Sequence, residues 1–176
     1  MKNGHRLQTE RLQLRWLTLD DAGLMLAVWN DPAFLSHVGD RGIRTPEQAR
    51  NALKDGAMKL YEDHGFGPFR VAVQSDDTPI GICGLFYRDG LDDPDIGFAL
   101  LPEFCSKGYA YEAAAAVMEY VRNDLALTRV VAIVSPENVA SIGLLEKLGL
   151  SYERMLRLPE DDHDICLYAI DFPDQK

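Results

Sequence analysis

The chain has 176 residues, of which 47% are hydrophobic, enough to build the core of one domain of ordinary size. Asp and Glu outnumber Lys and Arg by 28 to 18, and the net charge of −10 argues against a general nucleic-acid-binding protein, which needs a basic face. The charge is compatible with a cationic acceptor such as an amine. No stretch approaches the roughly 18 apolar residues of a membrane helix, and the N-terminal segment is too polar for a secretory signal.

The three cysteines, Cys83, Cys105 and Cys166, are an odd number at wide and unrelated spacings. This pattern predicts neither a disulfide framework nor a zinc site, and it favours a reducing compartment. The four histidines are scattered and form no pair with ligand spacing. We therefore expect a cytoplasmic protein without a metal site and without a nucleic-acid or membrane partner.

The first elements in chain order are a strand and a helix. Alternating apolar residues over 12–17 predict the strand. Thr18 is placed to cap a helix over residues 19–29, with Asp21 as the acidic member of a capping-box variant. Residues 30–32 are expected to end that helix, and the segment from there to residue 44 carries no clear signal.

A second helix is predicted where Thr45 provides a cap, Pro46 the first helical position and Gln48 the third. It should run to about residue 62 and end near Gly65. The remaining elements follow in order: a hairpin of strands at 69–73 and 80–87, a strand at 95–101, a helix to about 125, a strand at 129–134, a helix at 138–148, and a last strand pair at 153–158 and 164–170.

Two glycines, Gly81 and Gly84, interrupt the second strand of the hairpin and indicate a bulge or the close approach of another backbone. Strands and helices alternate in the middle of the chain, with hairpins at both ends. This order predicts a single domain over residues 1–176 built on a mixed α/β sheet.

The most informative stretch covers residues 95–116. A strand-length apolar segment is ended by Pro102, and the polar residues around Gly108 then lead into an alanine-rich helix. The exposed N–H groups at such a helix start, together with the helix dipole, can bind an anion, and Lys107 adds a cation. By itself, this loop is equally consistent with an anion site and with an ordinary turn that binds nothing. It contains neither GxGxxG nor GxxxxGK[ST], which disfavours a Rossmann or P-loop site.

Two runs in this sequence resemble the GNAT N-acetyltransferase superfamily, and in particular its branch of ribosomal-protein alanine N-acetyltransferases. They are DIGFALLPEFCSKGYAYEA and, some twenty residues later, RVVAIVSPENVASIGLLEKLGLSYE. The family motif Q/R-x-x-G-x-G/A falls on residues 105–110, with Cys105 departing from it at the first position. The resemblance extends from Thr9 to Tyr168.

The resemblance implies a mostly antiparallel mixed sheet that is splayed at its central strands and flanked by about four helices. It implies acetyl-CoA as cosubstrate, with pantetheine in the split and pyrophosphate at the start of the following helix. The implied contacts are Leu100, Leu101 and Asn138 for the pantetheine region and Ser106, Lys107, Gly108, Tyr109 and Ala110 for the pyrophosphate. The leucines also suit core packing, and Asn138 also suits a helix cap.

Acyl transfer to an amine needs a neutral amine, donors for the developing oxyanion and a proton for the departing thiolate. By resemblance Asp95 is the candidate base, direct or through water, although an Asp at a strand start is also a common turn residue. Ser141 is the candidate proton donor, since the Tyr of many family members is replaced by Leu145. Gly97 has two alternative roles. A bulge near this residue would free a backbone N–H group to serve as such a donor, or the glycine only makes room for neighbouring side chains.

These features predict an acetyl-CoA-dependent N-acetyltransferase that acts on a primary amine by direct transfer in a ternary complex. The amine is either a protein N-terminus or a small molecule. The sequence is compatible with a homodimer. The acceptor pocket is expected between the first two helices and the acidic turn, near Trp29, Tyr87 and Glu160. The alternatives are an acyl-CoA sensor without turnover and a nucleotide-binding structural domain. Cys105 is disfavoured as a nucleophile, because no histidine is placed by sequence to activate it.

Overall fold

The computed structural model describes residues 5–173, and within them eight strands form one sheet in the order β1-β2-β3-β4-β5-β6-β8-β7. All neighbouring strands are antiparallel except β5 and β6. The strands are β1 (Arg6–Gln8), β2 (Leu12–Trp16), β3 (Pro68–Val73), β4 (Pro79–Phe86), β5 (Asp95–Leu100), β6 (Arg129–Val134), β7 (Ser151–Leu156) and β8 (Ile165–Asp171). The α-helices are α1 (Ala22–Trp29), α2 (Pro32–His37), α3 (Pro46–Leu53), α4 (Lys59–His64), α5 (Tyr109–Asn123) and α6 (Val139–Lys147).

The chain enters α1 as its local signals predict. The Asp21 carboxylate accepts a 2.8 Å hydrogen bond from the Thr18 N–H, and a short 3-10 turn at Leu19–Asp21 precedes the α-helix. Helix α2, which the sequence did not predict, follows at once. Asp31 caps it by accepting from the N–H of Ala33 at 3.0 Å, and Pro32 occupies its first turn. The residues expected only to end α1 therefore also begin α2.

Helices α3 and α4 form one continuous helical run, joined by a π-helical segment at Lys54–Met58. The predicted capping box is confirmed: the Gln48 N–H donates to Thr45 Oγ1 at 3.2 Å, and Gln48 Oε1 accepts from the Thr45 N–H at 3.1 Å. Gly65, with φ +72°, provides the left-handed residue that ends α4.

The glycines of β4 mark both a bulge and the close approach of another backbone, the two features that the sequence suggested. A Cβ atom at Gly81 would lie 2.2 Å from the Ala99 carbonyl oxygen, and one at Gly84 would lie 2.5 Å from the Gly67 oxygen. The pairing of β3 with β4 also shifts register next to Val71, opposite Gly81. Neighbouring backbones therefore approach β4 so closely that side chains are excluded at these positions.

Strands β5 and β6 separate almost as soon as they meet. Strand β5 pairs with β4 continuously, from Asp95 opposite Phe86 to Leu100 opposite Gly81. Its pairing with β6, within the described residues, is confined to Asp95 opposite Val131. The predicted splayed sheet is thus confirmed. Because β5 and β6 are parallel, their carboxyl ends lie at the same edge, and the starts of α5 and α6 flank the open end of the split.

Helices cover both faces of the sheet. Ile96 of β5 belongs to the core cluster that contains the α5 residues Ala113 and Val117. Ala99 and Leu101 pack instead on the cluster of the opposite face, which contains residues of α1 and α3. No helix within residues 5–173 has the length and apolar character needed to cross a membrane.

We expect Gly81→Ala to destabilise the protein by at least about 2 kcal/mol, because its methyl group collides with the backbone of β5. The matched control is Gly143→Ala in α6, where an added Cβ meets nothing within 4 Å. That change should stabilise the helix by about 0.5–1 kcal/mol. Urea unfolding of both variants measures the difference, and a Gly81→Ala variant as stable as the wild type would contradict the close approach.

Candidate functional site

The loop before α5 leaves a group of backbone donors without partners. Ser106 and Gly108 adopt left-handed conformations, with φ of +62° and +81°, and residues 106–108 are exposed. Side chains cap α2, α3 and α6, but none among residues 5–173 caps α5. The first N–H groups of any helix have no partner within it. The N–H groups from Ser106 to Ala110, with the dipole of α5, are therefore available to an anion.

The same loop is braced by residues from the other end of the chain. Glu112, in the first turn of α5, accepts from Thr9 Oγ1 at 2.6 Å and pairs with Arg11 Nε at 2.7 Å. Arg11 Nη1 also donates to the Lys107 carbonyl at 3.0 Å, and its guanidinium lies 4.5 Å from the centre of the Tyr109 ring. This brace fixes the loop and offsets the negative charge of Glu112, which would otherwise repel an anion there.

The charge state of Glu112 follows from these contacts. Burial acts to raise its pKa, but the hydrogen bonds from Thr9 and Arg11 together hold the pKa below its ordinary value. Glu112 is therefore ionised at neutral pH and pairs with Arg11. Sequence reasoning missed this pair, because residues 9–11 contributed only the start of the family resemblance.

Backbone donors also face the split. The Leu101 N–H donates to the Ile80 carbonyl on the β4 side at 2.8 Å. Because successive N–H groups of a strand point to opposite sides, those of Phe98 and Leu100 point toward β6, from which β5 has already diverged. These two N–H groups are therefore free to donate to a ligand in the split.

Of the two alternatives left open for Gly97, the bulge is excluded, since the register between β4 and β5 is unbroken along the whole of β5. The alternative reading of Gly97 is the correct one. A Cβ atom at this position would lie 3.0 Å from the Phe86 ring, so glycine makes room for an aromatic side chain. Strand divergence, and not a bulge, frees the donors on the edge of β5.

Asp95 lies at the closed end of the split and is only 1% exposed. Its Oδ2 pairs with Arg88 Nε at 2.8 Å, whereas Oδ1 has no hydrogen-bond partner among the described residues. Burial raises the pKa of this carboxyl, and the positive charge of Arg88 opposes the rise. Such a carboxylate has the increased proton affinity that suits a general base.

Asn138 and Ser141 lie across the split from β5, at the start of α6. Asn138 Oδ1 accepts from the Ser141 N–H at 3.2 Å, which confirms its role as the cap of α6. Ser141 is half-buried in the first turn of the helix. Leu145, at the family's Tyr position, is 2% exposed within the core. A role for Asn138 toward pantetheine and for Ser141 as proton donor stays a prediction.

The two leucines predicted beside pantetheine occupy opposite faces of the sheet. Leu100 packs against the cluster that contains α5, and Leu101 against the cluster that contains α1 and α3. Both are partly exposed. The edge of β5 faces the split. Leu100 therefore borders the split from one face of the sheet, and Leu101 borders it from the other.

Cys105 has the properties of an unreactive thiol. Its Sγ lies 3.6 Å from the Leu101 carbonyl oxygen, a weak contact. Partial burial, and then the charges of Asp31 and Glu103, raise the pKa of the thiol. A thiol that stays protonated at neutral pH is a poor nucleophile. This agrees with the expectation from the sequence that Cys105 is not the nucleophile.

The predicted acceptor residues are dispersed and do not meet in one place. Trp29 is buried in the cluster of α1 and α3. Tyr87 is 45% exposed and stacks on His64 with ring centres 4.9 Å apart. Glu160 is exposed in the turn between β7 and β8. These three residues share no described contact, and the pocket that they were expected to line stays a prediction.

A surface groove of about 320 Å³ lies at the other end of the sheet, along β1 and β2. Its two deeper arginines are already neutralised, since Arg15 pairs with Asp21 at 2.8 Å and Arg70 with Asp77 at 2.7 Å. The described residues also contain no cluster of three or more His, Cys, Asp or Glu side chains that could hold a metal ion. The split between β5 and β6 is therefore the candidate site.

Comparison with known proteins identifies the type of domain. The family described as Acetyltransferase (GNAT) domain matches residues 11–151. Over 152 residues the chain is 33% identical to "Uncharacterized N-acetyltransferase p20" of Bacillus licheniformis, covering 86% of this chain and 85% of that protein.

Solved structures with the same fold cover nearly the whole chain. A GNAT-family acetyltransferase from Bacillus anthracis superposes with a TM-score of 0.77 at 25% identity, over 95% of this chain and 98% of that one. RimL, titled a ribosomal L7/L12 alpha-N-protein acetyltransferase in complex with coenzyme A, gives a TM-score of 0.80 at 17% identity, over 95% and 98%. At that identity, the likeness to RimL shows the fold alone.

The brace on the α5 loop predicts a pH-dependent stability. Glu112→Gln should cost about 1 kcal/mol at pH 7, because a charge-assisted pair that is partly screened by solvent is lost. The folded-state pKa of Glu112 is lowered, so its contribution is present above the unfolded pKa and disappears as pH falls through the folded value. The deficit of the variant should therefore shrink in acid.

Chemical denaturation at pH 7 and below pH 4 measures this difference. The control is Glu119→Gln, an exposed position on the same helix, which should change stability little at either pH. Equal effects of the two substitutions at pH 7 would contradict the brace.

Proposed function

This chain belongs to the GNAT acetyltransferase family and is an N-acetyltransferase, and from that premise we propose that it moves the acetyl group of acetyl-CoA to a primary amine. We propose direct transfer in a ternary complex, with a protein N-terminus or a small molecule as the amine. The observation that carries the proposal is the split beside β5, which ends at an uncapped, left-handed helix start.

The residues of the split fit the parts of acetyl-CoA. In this proposal, the N–H groups of residues 106–110 and the Lys107 ammonium hold the pyrophosphate, as in other helix-terminus anion sites. The edge of β5 then borders the pantetheine arm. The strand rises about 3.3 Å per residue, so Asp95 lies roughly 16 Å from Leu100 along the split. This distance separates the anion loop from the end where chemistry takes place.

The proposed chemistry uses one residue for each demand of acyl transfer. Asp95 accepts a proton from the attacking amine, through a water where the carboxylate is too short to reach. The N–H group of Phe98 donates to the developing oxyanion, and Ser141 gives a proton to the departing thiolate. The raised pKa of the Cys105 thiol supports direct transfer over an acyl-enzyme.

Gly108→Trp should weaken CoA binding at least about 10-fold, because the indole covers the N–H groups that the pyrophosphate needs and Gly108 holds a left-handed φ of +81°. The matched control is Gly65→Trp, which imposes the same backbone strain at φ +72° where an added Cβ meets nothing within 4 Å. It should lose stability but keep its CoA affinity. Isothermal titration calorimetry measures both, and unchanged affinity in Gly108→Trp would remove the loop from the site.

Release of free thiol from acetyl-CoA across a panel of amines tests the activity, and Asp95→Asn tests the base. The variant should lose about 100-fold or more in turnover, the range of general base catalysis, with CoA affinity nearly intact. Burial raises the pKa of Asp95, so the wild-type rate should fall as pH drops through that raised value, and the variant should lack this step.

The exposed Asp92→Asn, three residues away, is the control and should leave turnover unchanged. Unaltered turnover in Asp95→Asn would exclude this carboxylate as the base. Tight CoA binding without turnover on any amine would instead favour the acyl-CoA sensor.

A further inference from the structure

Two arginines lie on aromatic rings over the face of the sheet that Asp95 shares. The Arg41 guanidinium carbon is 4.8 Å from the centre of the Trp29 ring, and that of Arg88 is 4.9 Å from the centre of the Phe86 ring. Trp29 and Phe86 belong to the same hydrophobic cluster, formed by α1, α3 and the strands β4 and β5. Both guanidiniums are thus held over one apolar floor.

The loop that carries Arg41 is fixed to the helix that carries Trp29. Asn30, at the end of α1, donates through Nδ2 to the Leu26 carbonyl at 2.8 Å and to the Ile43 carbonyl at 2.9 Å. The stack of Arg41 on Trp29 therefore joins two parts of one anchored unit.

The charges in this group do not balance. Arg88 pairs with Asp95 at 2.8 Å, but no ion pair within residues 5–173 joins Arg41 to a carboxylate. The nearest acidic residue in sequence, Asp40, pairs with Arg44. Partial desolvation and the charge of Arg88 both lower the pKa of Arg41, as expected for two cations over the same hydrophobic cluster. Two guanidiniums thus stand against one carboxylate, in a chain whose net charge is −10.

We propose that the acceptor amine carries a carboxylate, which Arg41 and Arg88 bind while the amine lies toward Asp95. This inference rests on the proposed function, in which Asp95 marks the reacting end of the acceptor. The surplus of one positive charge matches one carboxylate, and the planar forks of guanidinium suit its two oxygens. A polyamine would instead place further cations against Arg41. The carboxylate has two sources: the α-carboxylate of a free amino acid, or an acidic side chain close to the N-terminus of a peptide.

Matched acceptor pairs test the proposal by thiol release: an amino acid against its amide, and amidated peptides with Asp or Glu against Asn or Gln at the first two positions. One of the two carboxylate acceptors should exceed its neutral partner at least about 10-fold in kcat/KM, and the pair that does so identifies the source. Arg41→Gln should bring that ratio close to one. Arg44→Gln, a neighbouring arginine paired with Asp40, should leave the ratio as in the wild type.

Calorimetric titration of the free amino acid and of the Asp or Glu peptide into the protein saturated with CoA gives a readout that does not require turnover. Arg41→Gln should weaken this binding about 10-fold and keep CoA affinity. Acetylation without preference for carboxylates, or a preference that survives Arg41→Gln, would overturn this inference and leave the proposed activity standing. If no amine is acetylated, the proposed activity fails, and loss of acid binding in Arg41→Gln still decides whether the two arginines form an anion site.

Discussion

The early separation of β5 from β6 is the constraint on which the rest of the site depends. The two strands are joined where Asp95 lies opposite Val131, and beyond that point β5 keeps hydrogen bonds to β4 only. Backbone groups that a closed sheet would pair are left along the wall of a cleft. Since the strands are parallel, α5 and α6 both start at the open end. One break in pairing therefore provides the cleft, its backbone donors and the anion site at its mouth.

Local charge, and not the charge of the whole chain, decides what each end of the cleft can bind. Charges farther than about 8 Å are largely screened at physiological ionic strength. At the mouth, Arg11 neutralises Glu112 and leaves the N–H groups of the loop as the dominant field. At the closed end, Arg41 and Arg88 outnumber Asp95. An acidic protein thus carries a local excess of backbone donors or cations at both ends of the cleft, as the proposed anion sites require.

Much of the fold and part of the candidate site could be predicted from the sequence. The stretch from Asp95 to the alanine-rich helix was identified as the centre, and the splayed sheet and the family are confirmed. Helix α2 was missed, because Asp31 and Pro32 end one helix and start the next within two residues. The sequence left a bulge and relief of packing as alternatives at Gly97, since a glycine in a strand has several structural uses that its neighbours do not distinguish, and the structure shows relief of packing.

The sequence by itself determined what depends on a few neighbouring residues. The capping box at Thr45 and the cap at Asn138 form within three residues of the chain. Only the tertiary structure decided the contacts that complete the site. Arg11 and Glu112 are 101 residues apart, and the aromatic floor under the two arginines combines helix and strand residues. Short-range signals depend on backbone geometry that each segment sets locally, whereas these partners meet only after the order of strands in the sheet has been established.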